Sequence, residues 1–139
     1  MQQQMVMINS RPQDAYRRHD VMTASPVDLI VMLYDALKKN IILGRRAIEK
    51  KDLQASHNHL MKAQDIVSEL IKSLDMNYEI SDELLSIYSF ALRSLAEANM
   101  HKDAGPLTPI INMVDDLRGA WSEVSVQAKS NLQWREELA

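Results

Sequence analysis

The sequence predicts an all-α protein: an antiparallel up-down four-helix bundle preceded by a flexible N-terminal arm. Three observations carry that prediction. The 139 residues include only three Gly and four Pro, and five of those seven stand at positions 12, 26, 105, 106 and 109, leaving long stretches free of helix breakers. Within those stretches apolar residues recur in steps of three and four, the repeat of a helix with one buried face. β-branched and aromatic residues are too scattered to build a sheet. Hydrophobic residues at 46% and charged residues at 25% are ordinary globular usage, and the length suits one domain with one core.

The elements follow in order. Met1 to Pro12 is Gln- and Met-rich and patternless, so residues 1–22 read as a mobile arm. Ser25-Pro26-Val27-Asp28 reads as the start of the first helix. Ser25 caps, Pro26 suits the first helical position, and Asp28 favours the positive end of the dipole. Ile30, Leu33, Leu37, Ile41, Gly44 and Ile48 mark its inner face, widened by Leu29, Met32, Ala36, Leu43 and Ala47. Asp52 caps a second helix, in which Leu53, Leu60, Val67 and Leu74 recur every seven residues with Ser56, Ala63 and Leu70 between them. The short connection makes these two helices antiparallel neighbours.

After a polar break from Asp75 to Ile80, Ser81 is expected to cap a third helix with Asp82 and Glu83 in its first turn. Its inner face reads Leu84, Ile87, Tyr88, Ala91, Leu95 and Ala98. The fourth helix carries Ile110, Val114, Leu117, Trp121, Val124 and Ala128 inward. Two starts fit it: Asp103 as cap with a kink at Pro109, or Thr108 as cap with Pro109 first. The bundle is expected over residues 23–129. The tail, residues 130–139, either extends the last helix or frays. Helices of about 20–25 residues are roughly 30–37 Å long, so the four are matched rods.

Composition narrows the function classes. The absence of cysteine removes disulfides, thiolate nucleophiles and Cys-based metal sites, and suits the cytosol. A net charge of −3 offers no electrostatic reason for a nucleic-acid or anionic-membrane partner. Met5-Val6-Met7-Ile8 is too short for a signal-peptide core, and no stretch approaches the roughly 20 apolar residues of a membrane span.

Catalytic and metal constellations were sought on the same grounds. A di-metal carboxylate bundle needs Glu-x-x-His, and no Glu here has His three residues on. His57 and His59 lie two apart, so on a helix they diverge and read as solvent-facing side chains. No phosphate loop or nucleophile elbow occurs. The expectation is therefore no enzyme, no cofactor and no metal. One alternative is a histidine phosphotransfer bundle using His59, since His59-Leu60-Met61-Lys62-Ala63 partly matches the His-x-x-Lys-Gly core of such proteins.

Two blocks go beyond a generic bundle. Ala15-Tyr16 is followed by Thr23-Ala24-Ser25-Pro26 and then by Leu29-Ile30-Val31-Met32-Leu33-Tyr34-Asp35. Further on come Lys62-Ala63-Gln64-Asp65-Ile66, Ser73-Leu74-Asp75, Ile87-Tyr88, Arg93-Ser94-Leu95-Ala96-Glu97-Ala98-Asn99 and Ala120-Trp121. In order and spacing this resembles the FliS family of flagellin export chaperones. Ala36 stands where the family usually has Gly, and Asn77-Tyr78 where it often has Gly-Gly.

The resemblance implies a cytosolic chaperone in flagellum biogenesis that holds the disordered C-terminal segment of flagellin, prevents its premature polymerisation and escorts it to the type III export apparatus. The export gate and flagellar regulators are implied as further partners. The free chain is expected as a monomer or as a dimer that exchanges arms. Candidate partner-binding residues are Tyr16, Ser25, Leu29, Ile30, Leu33 and Leu37. Tyr16 lies in a polar segment with no heptad to join, so it either covers an apolar groove until the client displaces it or packs permanently on the end of the bundle. Ser25 is assigned mainly to capping. Of the nine methionines, Met32, Met61 and Met113 read as core filler.

Overall fold

The computed structural model describes the backbone of residues 26–138, with side chains for residues 26–124, 126 and 127. Among the described residues there are four helices: α1 over Pro26–Glu49, α2 over Leu53–Lys72, α3 over Ile80–His101 and α4 over Leu107–Leu138. Helix α1 packs against both α2 and α4, α2 also packs against α3, and α3 meets α4 along a short stretch. No strand occurs among the described residues. The all-α bundle read from the periodicity is the fold.

The core draws mostly on the predicted inner faces, with Tyr34, Leu107 and Ile111 added to them. Tyr34, Leu37 and Ile41 come from α1; Leu60, Ala63, Val67 and Leu70 from α2; Leu84, Tyr88, Ala91, Leu95 and Ala98 from α3; Leu107, Ile110, Ile111 and Val114 from α4. Each large apolar side chain among them contributes about 1.5–3 kcal/mol by leaving water. A polar tie crosses the middle: the buried hydroxyls of Tyr34 and Tyr88 are hydrogen-bonded at 2.5 Å, joining α1 to α3. Trp121 of α4 is partly buried against the same core. Burial pushes both phenols up; the Tyr88 partner adds to the effect at Tyr34, while the Tyr34 hydrogen bond works against it at Tyr88.

Helix ends show where local chemistry decided the boundaries. Asp52 caps α2 as expected, its Oδ1 accepting from the Ala55 N–H at 3.1 Å. Helices α1 and α3 end without glycine. Lys51 (φ 60°) and Lys102 (φ 52°) take the left-handed conformation instead. The next residues close each turn: Asp52 N–H donates to the Ala47 carbonyl at 2.9 Å and Asp103 N–H to the Ala98 carbonyl at 3.1 Å.

Several expectations need correction. Helix α3 begins one residue before Ser81, and the Ser81 side chain does not cap it. Ser81 is buried, and its Oγ donates to the Asp75 carbonyl, fastening the α2–α3 connection. Neither proposed start of α4 is the observed one. The helix opens at Leu107, so Pro109 falls in the first turn, where its missing N–H has no intrahelical partner to lose. Asp103 accepts from the Gly105 N–H at 2.9 Å, shaping the preceding turn. The α4 backbone continues helically to Leu138, extending past Lys129. Leu53, counted in the α2 seam, is 60% exposed because it is the first residue of its helix. Val124 is 45% exposed, since at its level α1 contributes only its half-buried first turn. Ala128 lies outside the described side chains, and the arm with Tyr16 and Ser25 lies outside the described residues altogether.

Candidate functional site

The site begins with a close approach of two helices. A methyl group placed on Gly44 would sit 2.7 Å from Leu60 Cδ2 and 3.6 Å from His59 Cβ, so α1 and α2 meet here at a distance only glycine permits. A glycine inside a helix costs about 1 kcal/mol relative to alanine, and this intimate contact is what it provides in return. Along the flank of that seam runs an open groove of about 880 Å³.

Its lining is mostly one stripe of α1: Leu29, Met32, Leu33, Ala36, Lys39, Asn40 and Leu43, with Asp35 at the margin. These positions step by three and four, which on a helix keeps them on one face over roughly 21 Å. His59 and Lys62 of α2 complete the wall at the far end. The groove is therefore graded. Its end near the start of α1 is apolar, carried by Leu29, Met32 and Leu33; its other end bears Lys39, Asn40, His59 and Lys62 beside Leu43.

The charges around it are unequally engaged. Arg118 of α4 grips Asp35 through both carboxylate oxygens, with Nε on Oδ1 and Nη2 at 3.3 Å from Oδ2. That hydrogen bond raises the Arg118 guanidinium further above its ordinary value. Lys38 Nζ lies 2.7 Å from Asp115 Oδ1, one helical turn along the same α1–α4 contact. Lys39 and Lys62 have no ion-pair partner among the described residues. Asn40 Nδ2 donates to the Ala36 carbonyl at 2.8 Å.

The two histidines differ, and only one faces solvent as expected. His57 is exposed, with its Nδ1 3.2 Å from Asn99 Nδ2. His59 is half-buried beside Gly44, and its Nδ1 is enclosed without a hydrogen-bond partner. A phosphotransfer histidine needs an exposed ring that a partner enzyme can reach, whereas His59 forms part of a groove wall. No cluster of three or more His, Cys, Asp or Glu able to hold a metal occurs among the described residues. Among them, too, no helix is long and apolar enough to cross a membrane.

Of the predicted site residues, Leu29 and Leu33 line the groove. Ile30 is partly buried and packs on the core behind it, while Leu37, 2% exposed, is a core residue that supports the floor. Sequence reasoning missed Met32, Ala36, Lys39, Asn40, Leu43, His59 and Lys62. The signal was present in the stripe of α1 starting at Leu29, which passes through small Ala36 and ends beside Gly44. The three methionines read as core filler divide: Met113 packs on the core, Met32 lines the groove, and Met61 is 39% exposed.

Comparison with known proteins fits this architecture. The family model described as flagellar protein FliS matches residues 7–128. The chain is 37% identical over 117 residues to the flagellar secretion chaperone FliS of Bacillus subtilis, covering 84% of this chain and 88% of that protein. It is 32% identical over 111 residues to the flagellar secretion chaperone FliS of Salmonella typhimurium, covering 78% and 82% respectively. A crystal structure of a bacterial flagellar chaperone shares the fold with a TM-score of 0.70 at 18% identity, over 84% of this chain and 99% of that one. A four-helix bundle with a laterally open α1–α2 groove, matched by this family model over most of its length, belongs to the FliS family of flagellar secretion chaperones.

Proposed function

We propose that the chain is a cytosolic export chaperone that binds the C-terminal segment of flagellin, holds it back from polymerising and hands it to the type III export apparatus. The observation that supports this most directly is the graded groove on α1, about four helical turns long, which suits an amphipathic helix read through anchors at i, i+3 and i+4. Leu29, Met32 and Leu33 form the apolar seat, and the adaptable thioether of Met32 tolerates irregular client side chains. Ordering a disordered client costs free energy, so the full interface extends beyond this groove, to roughly 2,000 Å² or more. In this reading Tyr16 either covers the groove until the client displaces it or packs permanently on the end of the bundle, and Ser25 serves mainly to start the first helix. Release at the export gate needs only competition or pulling, with no bond chemistry in the chaperone.

Calorimetric titration with a flagellin C-terminal fragment of about 40 residues, repeated over a range of temperature, tests the proposal. One-to-one binding with a strongly negative heat-capacity change is expected for folding coupled to apolar burial. A soluble fragment that gives no heat at any temperature and leaves the α1 resonances unmoved in an NMR titration rules the reading out.

A further inference from the structure

The polar end of the groove is electrostatically unfinished. Lys39 on α1 and Lys62 on α2 both line it, exposed and unpaired among the described residues. Among the described residues one carboxylate lines it, Asp35, and Arg118 already holds it through both oxygens. Two cations thus face an apolar-walled channel with no further lining carboxylate among the described residues, the arrangement in which field lines concentrate.

His59 adds a third nitrogen of defined character. Its Nδ1 is enclosed and has no partner, whereas Nε2 is not among the buried unpartnered atoms. A buried N–H without an acceptor costs more than a bare lone pair in the same place, so the neutral ring carries its proton on Nε2. The outward nitrogen of His59 is then a donor, like both lysine ammoniums. Asn40, whose Nδ2 is taken up by the Ala36 carbonyl, adds one neutral amide oxygen there, but two ammoniums and a ring N–H still favour an anionic acceptor group.

Resting on the proposed client, we infer that the Lys39–Lys62–His59 end of the groove receives a carboxylate side chain, Asp or Glu, of the bound client helix, and so fixes its register. The apolar seat at Leu29, Met32 and Leu33 lies about six to ten residues along α1 from Lys39, or roughly 10–15 Å. The recognised client therefore carries its acidic residue some two to three turns from its apolar anchors. Hydrophobic contact alone leaves a helix free to slide by one turn; a single charge-paired position does not.

The test uses the full chain and the 40-residue flagellin fragment in calorimetry at low and moderate salt. The variants are Lys39→Gln with Lys62→Gln, and Lys38→Gln as a control whose partner Asp115 lies on α4. The double variant should bind roughly ten-fold more weakly at low salt and lose most of its salt dependence, while the control binds as the parent does. Lys62→Glu should weaken binding further, and changing one acidic residue of the fragment to Lys should restore it. Circular dichroism melts confirm that each variant is folded. Unchanged affinity and salt dependence in the double variant overturn the inference alone. Loss of binding on amidating the fragment's C-terminus, without effect from any acidic side chain, also overturns it, by assigning the site to a terminal carboxylate. Failure of the parent chain to bind overturns the flagellin reading, and this inference with it.

Discussion

The α1–α2 seam and the α3–α4 seam are built differently within one bundle. The first is drawn tight at Gly44 against Leu60 and backed by fully buried Ala63 and Val67. The second is short, and α3 presents Phe90 at 50% and Met100 at 77% exposure to solvent. Apolar surface is left open in both regions, but only along α1 is it shaped into a groove with polar groups at a defined end. Rigidity and a shaped groove are thus found together on the first hairpin. The close helix contact holds the walls of the groove in place, and under the proposed function that lowers the ordering cost of receiving a client.

The largest expected effect comes from the tight seam itself. Leu60 is fully buried and lies against Gly44, so Leu60→Ala should cost about 2–5 kcal/mol in urea unfolding. Phe90→Ala removes a larger side chain from the exposed face of α3, yet should change stability by well under half as much, because that ring is half in water already. Equal losses at the two positions would mean that the α3 face is covered in solution.

Next comes the phenol pair that ties α1 to α3. Tyr34→Phe strands the Tyr88 hydroxyl, at a cost of about 1–3 kcal/mol. The same pair sets an alkaline limit. Both phenols are raised in the folded state, so their stabilisation is complete below the ordinary tyrosine value near 10. Above it the unfolded chain gives up protons that the folded chain keeps, and stability falls with rising pH, by up to about 1.4 kcal/mol per unit for Tyr34 with Tyr88 acting in the same direction. Urea titrations between pH 9 and 11 should show that steep fall in the parent and a shallower one in the Tyr34→Phe, Tyr88→Phe double variant. Parallel slopes would show that the pair ionises alike in both states.

Much of this was legible in the sequence, and the failures are physically specific. Most of the inner faces follow from three- and four-residue steps, because burial of a stripe is what a bundle requires, and the steps overreach at helix ends such as Leu53. Asp52 was readable as a cap because its carboxylate has an orphan N–H within reach. Ser81 was not, since pattern cannot tell whether a hydroxyl turns to its own helix or to the Asp75 carbonyl six residues back. The left-handed Lys51 and Lys102 carry no signal in residue type, glycine being the residue that would mark them. The groove was half legible. Leu29 and Leu33 were chosen, but separating them from Leu37 needs the angle at which α1 meets its neighbours, which periodicity alone does not supply. His59 and Lys62 come from a different helix, and only the register fixed at Gly44 brings them beside Leu43.

Gly44 sharpens the comparison from the opposite direction. Alanine is the better helix former by about 1 kcal/mol, but its methyl group would drive into the Leu60 side chain at both Cδ2 and Cγ. Overpacking of that kind typically costs about 1–3 kcal/mol, so Gly44→Ala should be net destabilising by about 1 kcal/mol. Because the methyl group also pushes α2 away from α1, the variant should bind the flagellin fragment more weakly than its stability loss alone would suggest. A variant that is less stable yet binds as the parent does would separate the groove from the seam that flanks it.

The smallest effect isolates what the close contact contributes. Gly119 on α4 is the other helical glycine; it is exposed, and a methyl group built there meets nothing within 4 Å. Gly119→Ala therefore gains helix propensity and loses no packing, and should stabilise the bundle by about 0.5–1 kcal/mol in urea or thermal unfolding. Backbone entropy is the same in the two helical glycines, so the difference between the Gly44 and Gly119 substitutions measures the cost of parting α1 from α2. If both alanines stabilise the protein, Leu60 has room to turn aside, and the tightness of the first seam is not what shapes the groove.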